Sequence, residues 1–91
     1  MGVQRVVAME RMNMELETAR CELQGCWQRM RTAEHALQKF RIEHDGDLDR
    51  VTPELRQSFE RELITLETEL DAARRAHLKA KEEFARVRRS Q

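Results

Sequence analysis

Apolar side chains recur along the first half of the chain in alternating steps of three and four, from Met9 through Met12, Leu16, Ala19, Leu23, Cys26, Met30, Ala33 and Leu37 to Phe40. That rhythm is a heptad seam, sustained over more than four repeats without a polar intruder. It resumes with Phe59, Leu63, Leu66, Leu70, Ala73, His77, Ala80, Phe84 and Val87, where only His77 departs from it. Between the two runs lies HDGDLDRVTPE, His44 to Glu54, which holds three Asp, a Gly and the single Pro. Gly46 suits the left-handed end of one helix, and Thr52 followed by Pro53 suits the capped start of the next. The pattern predicts helix over about 3–44, a turn over about 45–52 and helix over about 53–89.

Two helices of similar length joined by a short connector favour an antiparallel neighbour over two independent rods. The expected fold class is therefore all-α: an antiparallel two-helix coiled-coil hairpin, completed by dimerisation or by a partner helix. One register fills the whole seam. Leu37 opposite Phe59 brings Ala33 to Leu63, Met30 to Leu66, Cys26 to Leu70, Leu23 to Ala73, Ala19 to His77, Leu16 to Ala80, Met12 to Phe84 and Met9 to Val87. Large residues then mostly face small ones, and the turn centres on Leu48.

Composition agrees with this and adds a constraint. The chain has 91 residues, of which 37% are charged and 4% aromatic, the balance of a long helix rather than of a sheet. A chain this short buries little core by itself, so oligomerisation is expected. Seventeen basic and seventeen acidic residues cancel, leaving no overall field to recruit nucleic acid or an anionic membrane. The apolar run at the N-terminus is broken by Glu10 and Arg11, too early for a signal peptide or membrane span, and a cytoplasmic, reducing location is expected. Cys21 and Cys26 would point about 140° apart on a helix, so they cannot bridge within it.

Chemistry finds little support. Asp45, Asp47 and Asp49 begin like a calcium-binding loop, but Arg50 and Arg56 fall where that loop needs its glycine and its bidentate glutamate. His35, His44 and His77 are dispersed, there is no glycine-rich phosphate loop, and Ser58 and Ser90 are the only serines. The expectation is a protein without catalytic activity, metal or cofactor.

The outer faces are more informative. Val3, Val7, Met14, Thr18 and Cys21 form a second apolar stripe on the first helix, ending at Gly25, and read as a protein interface. Trp27 flanks the seam and either shields it or anchors a partner. In the expected register Arg20 lies near Arg74 and Lys81 on one flank, while Glu15 and Glu22 lie near Glu69 and Glu83 on the other. Like charges would then meet within the hairpin, and a second copy laid alongside would supply the opposite ones. The expected partner is another protein or a second copy in a dimer, and the expected role that of a scaffold, adaptor or chaperone-like subunit. The alternative is that the cluster of Arg75, Lys79, Arg86, Arg88 and Arg89 binds nucleic acid or an anionic membrane surface, although Glu82 and Glu83 interrupt it.

Overall fold

A computed structural model describes residues 2–46 and 50–90, with side chains from Ala8 onward. Among the described residues two α-helices make up the fold, α1 (Gly2–Glu43) and α2 (Pro53–Arg89), packed antiparallel as a hairpin 75 × 16 × 15 Å across. Leu48, the expected centre of the turn, lies outside the described residues, as do Asp47 and Asp49.

The helix ends have local causes. The amide of His44 still donates to the Phe40 carbonyl at 3.1 Å, and Gly46 then takes φ 81°, a conformation in which a Cβ would be strained. At the start of α2, Thr52 is extended, its hydroxyl accepts from the Leu55 amide at 3.4 Å, and its carbonyl accepts from the Arg56 amide at 2.9 Å. Pro53 occupies the first turn, where its missing N–H is no loss.

The seam is real, but its register differs from the expected one. Arg41 pairs with Glu67 at 3.2 Å, Arg74 reaches Glu34 at 3.9 Å, and the His44 ring stacks on Phe59 with centroids 4.4 Å apart. These contacts slide α2 by one heptad relative to the reading in which Leu37 faced Phe59. Phe40 is now level with Leu63, Leu37 with Leu66, Ala33 with Leu70, Met30 with Ala73, Leu23 with Ala80, and Leu16 with Val87. His44 is the cause. It follows Phe40 at the next four-residue step and occupies the seam as an aromatic ring, half-buried, between Phe40 (4.5 Å) and Phe59.

The slide explains the burial at the open end. Val87 is only 5% exposed, whereas Met9, its expected partner, is 63% exposed because α1 runs on past the end of α2. The other buried residues among those described are Ala19, Leu37, Phe40, Leu70, Ala73 and Ala80, all on seam positions. Two helices cannot enclose a seam on every side, so Leu16, Leu23, Met30, Leu63, Leu66 and Phe84 remain half-buried.

Gly25 is helical and exposed, and a Cβ built there meets nothing within 4 Å. Gly25→Ala is therefore expected to raise the stability of the isolated hairpin by about 0.5–1 kcal/mol, through the lower entropy of the unfolded chain. Urea unfolding followed by circular dichroism reads the change, and a loss of stability would mean that the site is closed.

Candidate protein interface

The described part of the second stripe, Met14, Thr18 and Cys21, lies on the exposed side of α1, with Met14 at 70% exposure. The side chains of Val3 and Val7 are outside the described residues. The three described members follow from helical spacing alone. Met14 to Cys21 is one heptad with Thr18 between them, and all three are exposed, but Met14 and Thr18 also edge a groove shared with Glu83, Arg86 and Val87 of α2.

Trp27 lies on the rim of the seam and is 49% exposed. With Arg20, Leu23, Gln24, His77 and Lys81 it borders a shallow cleft of ≈ 330 Å³. The Arg31 guanidinium stands 6.0 Å from the indole centre, at the limit of cation–π attraction. His77 is half-buried and in this register level with Cys26 rather than Ala19.

The charged flanks need correction. Arg74 was expected beside Arg20, but it pairs with Glu34, and Arg41 pairs with Glu67, so opposite signs meet across that flank. Arg20 instead pairs along its own helix with Glu17 at 3.7 Å. These are exposed pairs, each contributing at most about 1 kcal/mol, but their signs remove the clash that the earlier register implied there. Arg20 and Lys81 still share the rim of the Trp27 cleft. On the opposite flank, Glu22 and Glu83 border one groove, where Glu83 is paired with Arg86.

That groove runs along both helices in two contiguous stretches of ≈ 560 Å³ each. Ala19, Cys26, Ala76 and Ala80 floor it, and Arg11, Glu15, Glu22, Arg29, Lys79, Glu83 and Arg86 wall it. Small side chains on both helices create it, a feature visible in the sequence only once the register is known.

The C-terminal cations are engaged locally. Arg75 bonds Asp71, Arg86 bonds Glu83 through two nitrogens, and Arg89 donates to the Ala85 carbonyl at 3.3 Å. Hydrogen bonding to Arg86 holds the Glu83 carboxyl below the usual carboxylate range. Arg88 and Lys79 are exposed. Among the described residues there is no group of three or more His, Cys, Asp or Glu side chains placed to hold a metal ion, and no helix long and apolar enough to cross a membrane. Cys21 is an exposed free thiol, and Cys26 is a half-buried one. No family model matches the chain, and no characterised protein or solved structure is significantly similar to it.

Proposed function

We propose that this chain is a non-catalytic protein–protein interaction module, a coiled-coil scaffold, adaptor or chaperone-like subunit that acts by packing its outer helix faces against other helices. The observation that carries this reading is the quantity of large apolar surface left outside the seam. Met14 is 70% exposed, Ile42 69%, Ile64 62%, Leu78 57% and Trp27 49%. Single exposed apolar residues are ordinary, but here they accompany a seam that two helices leave half-covered. Helices laid against the hairpin would cover both, and the burial of apolar surface would drive the association.

The interface assigned to this role comprises Met14, Thr18 and Cys21 with Trp27 as anchor, Arg20 and Lys81 beside it, and Arg74 further along that flank in its pair with Glu34. The binding of an anionic polymer or surface by the C-terminal cluster is less favoured, because Arg75, Arg86 and Arg89 already have acceptors. Trp27→Ala and Met14→Glu are each expected to weaken association at least about tenfold, a loss of roughly 1.4 kcal/mol, while helicity is retained. Molar mass by light scattering reads self-association, pull-down reads a heterologous partner, and circular dichroism reads the fold. Unchanged association, or loss of helicity with either substitution, would refute the assignment.

A further inference from the structure

The groove beside Glu22 has one wall from α2, carrying Lys79, Glu83 and Arg86, and one from α1, whose charges follow an order that can be read along the helix. On the positions that face it and their continuation towards the turn, the charged residues are Arg11, Glu15, Glu22, Arg29, Lys39 and Glu43, all exposed. Their signs run plus, minus, minus, plus, plus, minus. Read backwards, the same series is minus, plus, plus, minus, minus, plus, the inverse of the first in order, with the outer two pairs matched in spacing and the inner pair offset by three residues.

A helix with that property is complementary to an antiparallel copy of itself. We infer that the groove is the seat of a second copy of this chain, with the two α1 helices antiparallel about a twofold axis at the level of Trp27. In that register Arg11 comes alongside Glu43 of the second copy and Glu15 alongside its Lys39, while Glu22 lies about one helical turn from level with its Arg29. Lys39 and Glu43 also pair with each other at 3.9 Å within each chain. The axis repeats each pairing, so every attraction occurs twice, as an isologous interface requires.

The residues between those charges allow close approach. Thr18, Gly25, Thr32 and Ala36 lie on the same side of α1, and the space over Gly25 is open to at least 4 Å. The floor of Ala76 and Ala80 from α2 is equally low. Each α1 would lie in the other's groove, so that four helices form a rhombic bundle with the two α1 helices on its short diagonal. Trp27 is on the opposite rim of the seam and stays free for a different contact. This arrangement differs from a side-by-side pairing of whole basic and acidic flanks, which the Glu34–Arg74 and Arg41–Glu67 contacts do not support.

The inference rests on the reading of this chain as an interaction module and names the partner for one of its faces. The test is sedimentation equilibrium of the full chain in three variants, Glu22→Arg, Arg29→Glu and the two combined, with circular dichroism confirming equal helicity. The wild-type chain should dimerise, and raised salt should weaken the dimer. Each single reversal puts like charges together twice and is expected to raise the dimer Kd about tenfold, whereas the combined variant returns it to within about threefold of the wild type. Rescue is diagnostic because Glu22 and Arg29, two helical turns apart on one chain, meet only between copies. A wild-type monomer, a dimer indifferent to single reversals, or a combined variant weaker than either single would overturn the inference. A monomer that still captures a partner through Met14 and Trp27 would do so while leaving the interaction module standing.

Discussion

Val87→Asp is expected to destabilise the hairpin by about 3 kcal/mol, whereas Met9→Asp should change its stability by less than about 0.5 kcal/mol. Val87 is 5% exposed at the open end of the seam, and a carboxylate placed there would be desolvated against apolar side chains on α1. Met9 is 63% exposed on the part of α1 that projects beyond α2, where water already surrounds it. The contrast tests the register directly. If the two residues faced each other, both substitutions would place charge in one apolar layer and cost similar amounts. Denaturant midpoints at protein concentrations too low for association are the appropriate measurement, because burial of Met9 in an oligomer would blur the difference.

Phe40→Ala is the second substitution expected to have a large effect, about 3 kcal/mol or more, the usual cost of emptying a buried phenylalanine site. Phe40 is 9% exposed and touches both aromatic neighbours, His44 at 4.5 Å and Phe59 at 6.4 Å in an edge-on arrangement. These three rings hold the last turn of α1 against the first turns of α2. Their loss should loosen the turn end first, so amide exchange near Phe59 should accelerate more than exchange near Ala73, which is 0% exposed. Uniform acceleration along both helices would show instead that the hairpin opens as one unit. Ile42→Ala, two residues away but 69% exposed, provides the control and should be nearly neutral.

Of the candidate interface, the exposure of the residues was legible in the sequence and their neighbours were not. Met14, Thr18 and Cys21 were placed on an outer face by helical spacing, and they are exposed. Which charge meets which depends on the longitudinal position of α2, and so Arg74 was matched with the wrong partner. The groove between the helices was missed for the same reason. Ala76 and Ala80 become a floor only when they are set level with the right part of α1.

The sequence by itself determined that there are two helices, where Gly46 and Pro53 interrupt them, and which side of each forms the seam. Those properties are local, arising from backbone conformation and from apolar residues repeated at the helical period within a few turns. The tertiary structure decided the register. A heptad seam is nearly periodic, so a slide of seven residues again sets apolar positions opposite apolar positions, and hydrophobic matching alone barely separates the alternatives. The choice falls to features that do not repeat: the His44 ring between two phenylalanines and the cross-helix pairs of Arg41 with Glu67 and Arg74 with Glu34. Histidine counts as polar in a pattern of apolar letters, and the packing of its ring between two phenylalanines is revealed only when the two helices meet.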